Sequence, residues 1–158
     1  MQKKWIIVIV LFLGFACKKN NPNDCSKAVC PDIYFAGPFL KFTLSDKLTN
    51  QDLFFDATPQ YQLKDLIVFK KKNTIDTIHI SFYIDSLNTP KHFAVLAPEN
   101  SDSLFIQILN QKPDTVDVTS KPLFTNCCLS GYVFSSIKLN GKPICNNCPA
   151  SIIVNIKK

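Results

Sequence analysis

Apolar and polar residues alternate along much of the chain that follows residue 30. The longest such run is 77–84, where every second position is apolar: Ile78, Ile80, Phe82 and Ile84. Successive side chains of a β-strand point to opposite faces, so a period of two predicts a strand with one buried face. We therefore expect one central strand from which these four residues face inward.

Shorter runs of the same kind predict further strands at 34–44, 52–56, 66–70, 92–96, 103–109, 115–118, 132–139 and 151–156. Turn-forming residues separate these runs. The strongest turn signal is Asn140-Gly141, because a type I′ turn requires positive φ at both central residues. About eight short strands at this spacing predict an all-β domain over 31–158, an antiparallel β-sandwich of immunoglobulin-like or related topology.

Composition supports the same fold class. The chain has 13 Phe but only one Glu (Glu99), one Met and no Arg among 158 residues. Helical bundles favour Ala, Glu, Leu and Arg, whereas β-branched and aromatic residues pack well on a pleated sheet. No stretch of twelve residues after the N-terminal segment has a convincing helical period.

The N-terminal segment has the form of an export signal. Four residues that include Lys3 and Lys4 precede an unbroken apolar run at 5–16. Twelve helical residues span about 18 Å, which is short of the roughly 30 Å hydrocarbon core but suits the hydrophobic region of a signal peptide.

The residues that end this run are Leu13-Gly14-Phe15-Ala16-Cys17. They resemble the lipobox of bacterial lipoproteins, in which the signal peptide is cut before the cysteine and that cysteine carries the acyl chains, such as palmitate. The resemblance implies a signal peptide at 1–16, lipidation of Cys17 and a polar tether over 17–30. The alternative is an ordinary secretory signal with a chance cysteine.

The Lys- and Asn-rich, Arg-free composition resembles that of small lipoproteins of the Bacteroidota. That resemblance implies a cell-envelope protein held by its lipid, facing the periplasm from the outer membrane. Display on the cell surface stays open, because acidic residues directly after the cysteine accompany it in some of these proteins. Here the first acid after Cys17 is Asp24.

Six further cysteines predict a disulfide framework, because the count is even and the domain is expected to be exported: Cys25, Cys30, Cys127, Cys128, Cys145 and Cys148. We expect Cys25 and Cys30 to close the end of the tether. A hairpin at 140–141 would bring the pair 127–128 to the pair 145–148. Two alternatives remain: a zinc site formed by Cys127, Cys128, Cys145 and Cys148, and a thioredoxin-like exchange motif at 145–148.

Little in the sequence indicates an enzyme, and no catalytic residue or cofactor is predicted. The two histidines, His79 and His92, are expected at separate surface positions. Removal of 1–16 would leave 16 Lys against 12 acids, a net charge of +4 without Arg, which argues against a nucleic-acid partner. We predict a binding or structural accessory module for an envelope protein or a glycan; the alternative is a thiol-based metal-binding or redox protein.

Overall fold

The computed structural model describes residues 25, 29–30, 37–71, 76–87, 90–97, 101–125, 127–149 and 151–158. The predicted signal peptide and Cys17 lie outside these residues. The described residues form ten strands and a short 3-10 helix at Leu63–Asp65. The strands are β1 (Phe39–Ser45), β2 (Leu66–Lys71), β3 (Thr77–His79), β4 (Phe82–Asp85), β5 (His92–Leu96), β6 (Asp102–Ile108), β7 (Asp114–Thr125), β8 (Cys128–Leu139), β9 (Lys142–Asn146) and β10 (Ile153–Lys157).

The strands form two sheets. The smaller has the order β10-β1-β5-β4 and the larger the order β3-β2-β6-β7-β8-β9. β1 and β10 pair in parallel, and the other strand pairs are antiparallel. The predicted all-β sandwich is confirmed, with ten strands rather than about eight. In the part of the chain that the structure describes, no helix is long and apolar enough to cross a membrane.

The core lies between the sheets and follows the alternation of apolar residues. β1 buries Leu40, Phe42 and Leu44, while β6 buries Leu104, Ile106 and Ile108. The residues between them on each strand face outward and are more polar, as expected for sheets with one buried face.

An aromatic cluster centred on Phe93 of β5 fills one part of this core. The Phe93 ring centroid lies 4.8 Å from that of Phe55 and 5.3 Å from those of Phe42, Phe54 and Phe82. Phe93 itself is fully buried. Because the neighbouring rings come from β1, β4 and the segment after β1, this cluster joins three separate parts of the chain.

The run at 77–84 does not form one strand, so that prediction is wrong. β3 pairs with β2 in the larger sheet, whereas β4 pairs with β5 in the smaller one. The chain passes from one sheet to the other around Ile80, whose N–H donates to the carbonyl of Val68. Both halves lie at sheet edges, so Ile78 and Ile84 remain 40% and 37% exposed instead of facing the centre of a core.

Three other predicted strands differ in length from what the structure shows. At 52–56 the chain makes a single bridge to Ser45 and then turns, because Asp52 accepts hydrogen bonds from the N–H groups of Phe54 and Phe55. β7 and β8 are each twelve residues long and extend well beyond 115–118 and 132–139. β9 is an additional strand, and it pairs with β8.

The turn at Asn140-Gly141 is confirmed. It joins β8 to β9 with φ of 51° at Asn140 and 77° at Gly141, the positive values that a type I′ turn requires. The Asn140 amide also donates to Asp114 and its oxygen accepts from the N–H of Thr115. These contacts tie the turn to the start of β7.

Replacement of Phe93 tests the importance of the aromatic cluster. We expect Phe93→Ala to lower the free energy of unfolding by about 3–5 kcal/mol, because it removes a fully buried ring from a packed site. The matched control is Phe124→Ala, since Phe124 is 61% exposed, and its effect should stay below about 1 kcal/mol. Urea unfolding followed by circular dichroism measures both, and equal losses would contradict the described core.

Candidate functional site: a disulfide-linked ribbon

The most distinctive feature of the fold is a two-stranded extension of the larger sheet. β6 pairs with β7 only as far as Val118, and β9 pairs with β8 only over 136–139. Residues 119–135 of β7 and β8 therefore have only each other as strand partners in the described structure. We call this segment the ribbon; from residue 119 to residue 125 it extends about 20 Å at ~3.3 Å per residue.

The distal part of the ribbon is open to solvent. All residues of 121–125 are exposed, including Leu123 at 45% and Phe124 at 61%. The base is different, because Ser120 and Phe134 are buried at the margin of the core. An isolated two-stranded hairpin is marginally stable in water, so the distal ribbon needs support other than a core.

Two disulfides at the tip supply that support. Cys127 lies in the connection between β7 and β8 with a φ of 69°, and Cys128 begins β8. Cys127 is bonded to Cys25 and Cys128 to Cys30, with Cα–Cα distances of 5.4 and 5.3 Å. The segment at 25–30 is therefore attached to the ribbon tip at two points.

The disulfide framework is thus present, but the expected pairings are wrong. Cys25 does not pair with Cys30, and neither Cys127 nor Cys128 pairs across the β8–β9 hairpin. The reason is the length of β8. β9 ends opposite Ser136, and Cys128 lies eight residues before it, about 26 Å along the strand.

The two remaining cysteines, Cys145 and Cys148, pair with each other. The backbone N–H groups of Asn147 and Cys148 donate to the carbonyls of Ser135 and Phe134, which holds this small loop against the base of the ribbon. Cys148 is only 6% exposed. In thioredoxin-like motifs a helix follows the cysteines and activates one thiol, whereas the described segment after Cys148 leads to β10.

The zinc alternative uses Cys127, Cys128, Cys145 and Cys148, all four of which are disulfide-bonded here. Zinc binds thiolates, so that site would require reduction of three bonds. Among the described residues, no three His, Cys, Asp or Glu side chains are grouped as a metal site would need.

The structure does not bring the two histidines together. His79 is exposed on β3 of the larger sheet, while His92 lies on β5 of the smaller one. The prediction of a surface position is wrong for His92, which is 1% exposed. β5 lies between β1 and β4, so its neighbours cover even its outward side chains.

His92 faces two acceptor oxygens. Its Nδ1 lies 3.0 Å from the carbonyl oxygen of Pro90, and its Nε2 lies 3.4 Å from Oδ2 of Asp85. Lys41 Nζ is 3.8 Å from that same Oδ2. The arrangement joins β1, β4 and β5 on the outer side of the smaller sheet, which is a structural role.

A polar cavity of about 200 Å³ lies beside the turn after β1, with Asp46, Asp52 and Asp56 among its lining residues. The backbone N–H groups of Thr49 and Leu48, with the Thr49 hydroxyl, donate to Asp46 and hold the pKa of its carboxyl below the ordinary value. These carboxylates cap their own turns. The contribution of Asp46 to this turn is present above its unfolded-state pKa and is lost as pH falls through the lower folded-state pKa.

Comparison of the chain with protein-family models, with curated proteins and with solved structures found no match. The function proposed below therefore rests on the residues of this chain: the N-terminal segment, the disulfides and the ribbon.

The paired tip disulfides lead to a specific stability prediction. The Cys25–Cys127 bond spans 102 residues, and loop entropy for such a span is worth about 4–5 kcal/mol. With either tip bond present, the second closes only a small extra loop, worth about 2–3 kcal/mol. The double variant Cys30→Ser, Cys128→Ser should thus lower the free energy of unfolding by about 2–3 kcal/mol. Replacement of all four cysteines should lower it by at least twice as much.

Urea unfolding under oxidising conditions measures these losses. The reciprocal double variant, Cys25→Ser with Cys127→Ser, is the matched control and should cost the same as the first. If removal of both bonds lowers the free energy of unfolding no more than removal of one, the two bonds do not act as alternative closures of the same long loop.

Proposed function

We propose that this protein is a lipid-anchored component of a bacterial cell envelope. In this proposal Cys17 carries the acyl chains, residues 18–24 are a polar tether, and the β-sandwich is a binding or structural accessory module that faces the periplasm. Its partner is an envelope protein or a glycan. The module would act by presenting the surface of its β-sandwich close to the membrane.

The observation that carries the proposal is the link between the N-terminal segment and the ribbon. The lipobox-like residues end at Cys17, and Cys25, only eight residues later, is bonded to the ribbon tip. A lipid at Cys17 would thus be connected to the body of the protein through a short tether and two covalent bonds. Attachment of Cys17 to the membrane would therefore hold the whole domain at the membrane.

The three disulfides support an exported location. Disulfides form and persist in oxidising compartments such as the periplasm and are rare where thiol reductants are abundant. All six cysteines of the described domain are paired. A chain that depended on these bonds for the ribbon would need such a compartment to fold.

Replacement of the acceptor cysteine tests the anchor. Cys17→Ser should abolish incorporation of labelled palmitate and should move the protein out of the carbonate-washed membrane fraction, because several acyl chains are needed for stable attachment. Asn20→Ser, in the same tether, is the control and should leave both properties unchanged. A Cys17→Ser protein that stays in washed membranes like the wild type would overturn the proposal.

The second candidate function, thiol-based metal binding or redox activity, rests on the Cys145–Cys148 pair and its spacing of two residues. Alkylation followed by intact-mass measurement separates it from the first. For protein purified from the envelope without reductant, we expect no cysteine of 25–148 to react, and six to react after reduction and unfolding. Reactive thiols at 145 and 148 together with bound zinc would favour the alternative.

A further inference from the structure

The exposed apolar residues of the ribbon lie at the same end of the molecule as the covalent link to the tether. Leu123 and Phe124 are two residues and one residue before Thr125, which pairs with Cys128 at the tip. Phe124 pairs across the ribbon with Leu129, and the Ser130 hydroxyl donates to the carbonyl of Leu123. Leu123 and Phe124, the apolar pair, are thus successive residues with an irregular register between them, and both are exposed near the tip.

The charge of this end suits an anionic surface. All twelve acidic residues of the chain precede Val118, so no acidic side chain lies on the ribbon. Lys121 is exposed on the ribbon itself, two residues from Leu123. Lys18 and Lys19 directly follow Cys17 in the sequence. The ribbon itself has no acidic side chain that anionic headgroups would repel; the nearest acids in sequence to the bonded cysteines are Asp24 and Asp32 of the N-terminal segment.

The reach of the chain keeps the ribbon tip close to the bilayer. Seven residues lie between Cys17 and Cys25, so the chain from one cysteine to the other spans at most about 29 Å when fully extended. A short tether of this kind raises the effective concentration of the ribbon tip at the lipid surface to the millimolar range. Even a weak contact between the ribbon and lipid would then be occupied.

We propose that the distal ribbon is a membrane-contacting surface, with Leu123 and Phe124 inserted at the headgroup boundary and Lys121 against anionic lipid. The proposal rests on the lipid anchor proposed above and adds the orientation of the domain. The ribbon points to the bilayer, so the opposite end of the sandwich points away and is presented to a partner. Binding of such interfacial groups scales with the apolar area buried and with attraction to anionic lipids.

A tryptophan at position 124 tests the contact in the full lipidated protein. Trp5 is the only tryptophan of the chain, and replacing it with Phe in every variant makes the reporter unique whether or not 1–16 is removed. The Phe124→Trp protein is reconstituted into phosphatidylethanolamine–phosphatidylglycerol vesicles with or without bromine on the acyl chains. Flotation of the protein with the vesicles measures its membrane attachment independently of the fluorescence.

The matched control is Leu48→Trp, at the other end of the sandwich. Leu48 is 90% exposed. The N–H of its neighbour Lys47 donates to the carbonyl of Lys158, whose ammonium pairs with Asp114 at the start of β7. Asp114 is ten residues from Phe124 along β7, about 33 Å.

We expect both proteins to float, with brominated lipid lowering the emission of Trp at position 124 about twofold and that at position 48 hardly at all. Two proteins that float with equal, weak quenching would overturn the ribbon proposal and leave the anchor standing. A blue-shifted, unquenched signal at position 124 would also overturn it, by assigning the ribbon to a protein contact. If neither protein floats, the anchor fails, and the ribbon proposal fails with it.

Charge reversal tests the lysine separately. Lys121→Glu should reduce the quenching at position 124 on vesicles with phosphatidylglycerol, because the new carboxylate is repelled by the anionic surface. Lys142→Glu, on β9 beside the Asn140-Gly141 turn, changes the net charge equally and should leave the quenching unchanged. Equal reductions by both variants would show a general charge effect and contradict a specific contact at the ribbon.

Discussion

Phe93 packs against rings from β1, β4 and the segment after β1, and the arrangement of the smaller sheet depends on that contact. Short strands cannot stand alone in water, because their hydrogen bonds yield little net stability without apolar burial. The alternation of residues in β1 and β6 gives each strand one apolar face, and the shared core lets these faces be buried together with β5.

The ribbon is the part of the fold to which this core does not extend. Past Ser120, β7 pairs only with β8, and no second sheet covers the ribbon in the described structure. Disulfides replace burial there, since they limit the freedom of the unfolded chain rather than add apolar contacts. Both of these disulfides are at the tip, so the exposed end of the ribbon is the part of the domain that is bonded to Cys25 and Cys30.

The described residues that carry acid–base chemistry have structural partners. The histidines lie in different sheets, and the carboxylates beside the turn after β1 are occupied in capping that turn. The two features that remain distinctive are the ribbon and its attachment to the N-terminal segment. The proposed anchoring and orientation at a membrane rest on these two features.

Local alternation and turn chemistry were enough to predict the all-β class, several strand positions and the turn at Asn140-Gly141. These properties depend on neighbouring residues, which the sequence displays directly. The division of 77–84 between two sheets, the burial of His92 and the length of β7 and β8 could not be predicted, because each depends on which strand lies alongside. The six cysteines that follow Cys17, an even number in a chain expected to be exported, predicted disulfides but not their partners. Only the tertiary structure decided those, because the long β8 carries Cys128 away from the 145–148 loop and toward Cys30, a neighbour that lies 98 residues earlier in the chain.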